Sequence, residues 1–309
     1  MILYYALGGG LGHLTRSIAI LSALPEEVRS DFMLMASSEH AMLASASVPC
    51  TFNVVPNDVM ASKSAYYEYL NDCMLQNRIR AIVIDTYPFG LLHEWNELAP
   101  NLPRLLIARY LKTAMYDKDK GSATMTQNYP TKVLCIEELD DMYFIKMKRY
   151  SDVELIDDPI ILEGPEVASA SAVELSKKYV FNDKDWLVVN SGGVDELNLL
   201  TGFAKDLMSK AGVQNPEPSV LSTEHGIYPA NTVISSFANI VSAVGYNMAA
   251  TALSDADKGT KHHFLPFERR FDDQFLRLDR LRSGLWLHGR ANGAGKAAEW
   301  LKRSLISLL

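Results

Sequence analysis

Short apolar runs alternate with stretches of helical period along the first half of the chain. ILYYAL, DFMLMA, TFNVV, AIVID and RLLIA read as strands, with amphipathic segments at 12–24, 64–77 and 90–99 between them. Such alternation predicts a parallel sheet flanked by helices. The pattern resumes with strands at WLVVN, SVLS, ANIVSA, HHFLPF and GLWLH and helices near 195–210, 246–254 and 271–284, which predicts a second α/β unit. The break falls around ILEGPEVASA, punctuated by Gly164 and Pro165, and the stretch from 111 to 155 before it reads as polar, irregular loops at an interdomain cleft. The last segment, GKAAEWLKRSLISLL, puts Trp300, Leu301, Leu305 and Leu308 on one helix face, which predicts packing on a core.

Composition narrows the class. A chain of 309 residues suits two domains, and 48% hydrophobic with 22% charged residues is ordinary globular usage that excludes disordered, collagenous and disulfide-scaffold proteins. A net charge of −7 gives the chain no general pull towards phosphate backbones, so nucleic acid is not the expected partner. Cys50, Cys73 and Cys135 are odd in number and widely spaced, which suggests neither a zinc site nor a disulfide framework and fits a reducing cytoplasm. No basic segment precedes the N-terminal apolar stretch, so it reads as a buried strand and not as a secretion signal. The uncharged run from Gly226 to Ser254 is interrupted by Pro229, Asn231, Asn239, Gly245 and Asn247 and reads as strand, turn and helix, not as a membrane span. Lys302 and Arg303 beside Trp300 would permit peripheral contact with the inner membrane face, but an ordinary amphipathic helix explains them as well.

Four stretches carry candidate chemistry. Gly8-Gly9-Gly10-Leu11-Gly12-His13 follows the first strand and opens a helix, presenting bare N–H groups to an anion or a developing charge. Its spacing is not the dinucleotide fingerprint, because glycine would be needed where His13 stands, and this disfavours a nicotinamide enzyme. In the first turn of a helix, the dipole lowers the proton affinity of His13, which suits a neutral general base. Asp85 ends the AIVID strand and is placed to orient His13; capping the next turn is the competing role. Ser191, Gly192 and Gly193 repeat the strand, small-residue turn and helix arrangement, which suits a diphosphate, against a plain turn. Gly245 at a strand end lets backbone approach a ligand. Asp272, Asp273 and Gln274 open a helix with groups that reach hydroxyls or, alternatively, complement its dipole. The Asp-x-Asp pairs at 117/119, 183/185 and 255/257 end no apolar strand and read as loop charge, and His262 and His263, adjacent on a strand, point to opposite faces and share no metal. No metal site is expected.

These residues carry a resemblance. GGGLGHLTRSIAIL resembles the N-terminal glycine loop of GT-B glycosyltransferases, in the branch containing the peptidoglycan lipid-intermediate N-acetylglucosaminyltransferase. VIDTYPFG is similar to a stretch in related bacterial glycosyltransferases, and the strand, GYN, helix, strand and PFERRFDDQ pattern is similar to their nucleotide-sugar-binding half. The resemblance implies two Rossmann-like α/β domains facing across a cleft: residues 1–162 on the acceptor side, 163–292 binding the nucleotide sugar, and 293–309 a helix packing back on the first. It implies inverting, metal-independent transfer of a sugar from a nucleoside-diphosphate donor to an acceptor hydroxyl on a small molecule, glycan or lipid-linked molecule, with no further cofactor. Gly9, Gly10, Gly12 and His13 would line the acceptor side with His13 as base. Ser191, Gly192 and Gly193 would meet the diphosphate, Gly245 and Asn247 the nucleotide, and Asp273 and Gln274 the sugar hydroxyls. Thr251 stands where the family carries a glutamate for the donor ribose, and one hydroxyl does not replace a carboxylate on a diol. That departure brings in one alternative, a catalytically impaired partner subunit; a second is an epimerase or hydrolase of nucleotide sugars on the same fold, which would need no acceptor.

Overall fold

The computed structural model describes residues 1–8, 10–37, 40–112, 129–163, 185–225 and 227–309. Its first unit is a parallel sheet of β1 (Ile2–Tyr5), β2 (Phe32–Ala36), β3 (Thr51–Val54), β4 (Ala81–Asp85), β5 (Arg104–Ala108), β6 (Lys132–Cys135) and β7 (Asp152–Leu155). The spatial order is β3-β2-β1-β4-β5-β6-β7. Because a parallel sheet is covered on both faces, its inner strands are apolar apart from charges at their ends, Asp85, Arg104 and Lys132. Successive residues serve opposite faces. Ile2, Tyr4, Ala81 and Val83 join one cluster, and Leu3, Tyr5, Ile82 and Ile84 join the other. Helices α1 (Leu11–Ser22), α2 (Lys63–Gln76) and α3 (Asp141–Tyr150) belong to this unit.

The second unit pairs β8 (Trp186–Asn190), β9 (Ser219–Ser222), β10 (Asn239–Ser242) and β11 (Lys261–Phe264), all parallel, in the order β11-β10-β8-β9. Its helices are α4 (Val194–Lys210), α5 (Tyr246–Asp255) and α6 (Gln274–Arg282). A last helix, α7 (Ala294–Leu308), packs against α1 and β6 with Trp300, Leu301 and Leu305 buried. Each such side chain gains about 1.5–3 kcal/mol from leaving water. Trp300 is thus withdrawn from any surface role, and Arg303 pairs with Glu154 of β7. No helix among the described residues is long and apolar enough to cross a membrane.

Three expectations are corrected. The stretch from 111 to 155 is not irregular where it is described: it holds β6, α3 and β7. β7 reads DVEL because it is an exposed edge strand, where charge discourages pairing with other chains. GLWLH is no strand, and Trp286 instead buries against the ring of Tyr246. Within 90–99 only one short turn, Glu94–Asn96, is helical. The Gly164–Pro165 break lies outside the described residues.

Candidate functional site

In both sheets the strand order reverses beside the first strand, and the crevice at such a switch point is where open α/β sheets bind ligands. In the first unit the switch lies between β1 and β4, which pair directly. The chain leaves β1 through Gly8 and enters α1 after Gly10, so His13 falls in the first helical turn. Glycine is required at Gly8, because a methyl there would overlap the His13 imidazole. Asp85, the last residue of β4, meets His13 Nδ1 at 2.5 Å through Oδ2. One turn along α1, Arg16 forks onto the same carboxylate, with Nε 2.9 Å from Oδ1 and Nη2 on Oδ2. All three are buried, Asp85 to 1% exposure and His13 to 8%.

Burial pushes the His13 imidazole below its usual range, and Arg109 and Arg16 push the same way while Asp85 opposes them. Burial alone would raise the Asp85 carboxyl, but Arg16 and His13 outweigh it and hold the group well below the usual carboxylate range. The result is a neutral imidazole over a fixed carboxylate. With Nδ1 committed to Asp85, Nε2 has no partner among the described residues and is the nitrogen left to the cleft that His13 lines.

A chain of ion pairs runs from this point into the second unit. Arg109, directly after β5, donates through Nε to Thr86 Oγ1 at 3.2 Å and through Nη1 to Asp272 Oδ1 at 2.8 Å. Asp272 also accepts from Arg277, whose guanidinium forks onto Glu137 at 2.7 and 3.0 Å; Trp286 donates to the same Glu137 at 2.7 Å. Arg277 and Glu137 are both about 1% exposed in their side chains. Arg109 and Arg277 outweigh the effect of burial on Asp272 and hold its carboxyl far down.

The opposite wall carries two glycine turns that open helices. Asn190 staples the turn after β8, accepting from Gly192 N at 2.9 Å and donating to the Gly192 and Gly193 carbonyls at 3.2 Å each. Gly193 is the N-cap of α4, so the free N–H groups of that helix start at the turn. Glu196 in its first turn is forked by Arg269. Gly245 caps α5 in the same way, and Asn247 donates to the Gly12 carbonyl at 3.3 Å, joining the two loops directly. One cleft of about 540 Å³ is lined by Gly10, Gly12 and His13 on one side and by Ser191, Gly192, Gly245, Asn247, Thr251 and Gln274 on the other. Gly9 lies outside the described residues, and Asp85 supports His13 from below.

Three expected contributors have bonds within the protein already, and one of them lies off the cleft. Asp273 does not line the cleft. Its Oδ1 accepts from Leu276 N at 2.9 Å and caps α6, as a short carboxylate before a helix does, and Asp272 takes the place at the cleft. Gln274 is at the cleft, but its Oε1 is spent on the backbone N–H groups of Val244 and Phe267. The Thr251 hydroxyl donates to the Asn247 carbonyl at 3.0 Å and bonds Asn231 at 3.3 Å, so it too is committed. Among the described residues no three His, Cys, Asp or Glu side chains gather as a metal site. Asp255 pairs with His262 and Lys258, and Asp257 with Arg290, while 117/119 and Asp183 lie outside the described residues. Arg16, Thr86, Arg109, Glu137 and Arg277 escape the sequence reading of the site, whereas Asp272 was among its candidates. The one available signal was Arg16, a charge on the buried stripe of α1 beside Leu14, Ser17 and Ile18.

No protein-family profile matches the chain, and no curated protein sequence matches it. Among solved structures it is similar to SsfS6, a glycosyltransferase of Streptomyces sp. SF2575, with a TM-score of 0.53 and 13% identity over 92% of this chain and 85% of that one. It is also similar to the UDP-GlcNAc 2-epimerase of Methanocaldococcus jannaschii, with a TM-score of 0.54 and 9% identity over 99% of this chain and 100% of that one. The chain has a GT-B glycosyltransferase-like fold. At these identities the likeness fixes the architecture, two Rossmann-like units around a cleft, and leaves the chemistry to the side chains.

Proposed function

We propose that the protein transfers a sugar from a nucleoside-diphosphate donor to an acceptor hydroxyl, with inversion and without a metal. The observation that carries this reading is the His13–Asp85 pair, an imidazole bonded through Nδ1 and pushed towards its neutral form, facing two glycine turns that open helices. In the reaction, His13 Nε2 takes the proton of the acceptor hydroxyl as that oxygen bonds to the anomeric carbon. The bond from that carbon to the diphosphate breaks, and its electron pair leaves with the phosphate. Backbone N–H groups at the Ser191-Gly192-Gly193 turn and the α4 dipole stabilise the departing charge. Gly245 and Asn247 lie beside the nucleotide, Gln274 contributes to the sugar side, and residues 1–162 present the acceptor. The resemblance of GGGLGHLTRS and PFERRFDDQ supports placement in the branch of the peptidoglycan lipid-intermediate transferase.

Thr251 favours a second reading. With its single hydroxyl already bonded within the protein, donor affinity is low, as in a partner subunit that binds sugar nucleotides without turning them over. Calorimetric titration with uridine, guanosine and thymidine diphosphates and their sugar conjugates, with magnesium and then with chelator, tests both. Saturable, chelator-indifferent binding is expected. Binding only with magnesium overturns the metal-independent mechanism, and no binding to any of them overturns the transfer reading. Product formed without an acceptor would identify an epimerase or hydrolase instead.

A further inference from the structure

Thr86 stands at φ 73°, a region that β-branched residues rarely enter. Across it, Tyr87 N–H donates to the Asp85 carbonyl at 2.9 Å, so residues 85–87 form a γ-turn of positive φ, the strained kind. Glycine would take this backbone freely. A threonine held there points to a task for its side chain. The residue is fully buried, and its hydroxyl accepts from Arg16 Nη2 and from Arg109 Nε, each at 3.2 Å, while donating to Asp85 Oδ2 at 3.1 Å. A hydroxyl offers one donor and two acceptor positions, and all three are used. Oδ2 is the oxygen that also takes His13 Nδ1. The same turn delivers the Tyr87 ring onto the His13 imidazole, 5.5 Å between centroids and 25° between planes.

We infer that Thr86 is a positioning residue: its hydroxyl fixes the Asp85 oxygen that orients His13 and ties it to Arg109, which is ion-paired with Asp272 of the second unit. The inference rests on His13 being the base of the proposed transfer. It makes the geometry of the base depend on contact between the two units. The charged groups facing His13 are Asp85 from β4, Arg16 from its own helix and Arg109 from the end of β5. Removing the hydroxyl leaves Oδ2 more available to the imidazole and loosens Arg109. Both changes favour the protonated ring.

Three substitutions separate hydroxyl from backbone. Thr86→Val keeps the shape without the hydroxyl, Thr86→Gly relieves the strain without the hydroxyl, and Thr86→Ser keeps the hydroxyl. The Val and Gly variants are expected to lose roughly 10- to 100-fold in kcat with little change in donor KM. The acid limb of their pH–rate profiles should move to higher pH, and Ser should restore both. The Gly variant, free of strain, keeps the test open if Val fails to fold. A Gly variant with the parent rate and pH profile would overturn the assignment, because only the backbone would then matter. Titration of the His13 ring by NMR reads the same effect without substrate. An equal midpoint in the parent, Val, Gly and Ser proteins overturns the role of Thr86. Absence of any transfer by the parent overturns the transfer reading alone, and the ring titration still decides Thr86.

Discussion

Around His13 the cleft wall is made of buried side chains that hold one another, whereas at Gly192 and Gly245 it presents the backbone of two helix starts, with the Glu196–Arg269 pair beside the first. The first wall places Asp85, Arg16 and Thr86 out of solvent and joins them through Arg109 to the Asp272–Arg277–Glu137 cluster. On the second wall, two glycine-capped helix starts are fixed by a single asparagine staple and by the Asn247 bond to Gly12. On the proposed mechanism the difference follows from the task. A base must be held in one tautomer and kept neutral, which takes a network of paired charges, while a diphosphate is satisfied by N–H groups that every residue carries.

The largest test of that contrast is to remove one function from each wall. His13→Ala should lower turnover by about 10²–10⁴ while leaving donor affinity nearly intact. Gly192→Ala should act on affinity instead. Its methyl would meet Glu196 and Asn190, and a cost of about 1.4 kcal/mol would raise the Kd for the nucleoside diphosphate roughly tenfold. The contrast breaks if calorimetry finds His13→Ala weakening nucleotide binding as much as it slows transfer.

The first unit also contains, away from the cleft, a buried carboxylate with no cation on it among the described residues, and this gives the next largest effect. Asp85 and Glu94 are both buried, but Glu94 is held by the Leu91 and Leu92 N–H groups and not by a guanidinium. Burial pushes its carboxyl up to about 8, against backbone hydrogen bonds that lower it. Since the folded-state value lies above the unfolded one of 4.5, the folded protein keeps this proton where the unfolded chain has released it. Stability from Glu94 is therefore complete below pH 4.5 and is lost progressively up to pH 8. The loss amounts to a few kcal/mol, since each tenfold change in proton affinity between the folded and unfolded chain is worth about 1.4 kcal/mol. Glu94→Gln should flatten the fall in denaturation midpoint over that interval, and equal slopes in the two proteins would refute the assignment.

How much of this was legible in the sequence differs between fold and site. Buried parallel strands announce themselves as runs such as AIVID and RLLIA because both faces are covered. β7 hid because an edge strand spends its residues on solvent, and GLWLH misled because a buried Trp286 satisfied by Glu137 looks like a strand residue. At the site, glycine turns and a helix-start histidine are local patterns and were readable. The Arg109–Asp272 and Arg277–Glu137 pairs join residues more than 130 positions apart. They depend on how the two units dock, which no spacing rule encodes. Asp273 and Asp272 are the sharpest case, adjacent acids that the chain itself does not distinguish.

Their separation is the smallest effect and can be measured directly. Asp273 caps α6 through a hydrogen bond to Leu276 N, while Asp272 bridges Arg109 and Arg277 at the cleft. Removing a capping carboxylate costs about 0.5–2 kcal/mol and nothing more, provided no ligand touches it. Asp273→Ala should therefore lower the melting temperature slightly and leave calorimetric affinity for nucleoside diphosphates and for their sugar conjugates equal to the parent's. The sugar conjugates are the discriminating ligands, because a residue that held sugar hydroxyls would lose affinity for them and not for the bare diphosphate. Loss confined to the conjugates would mean that Asp273 leaves its cap when a donor binds, adding a carboxylate to the second wall.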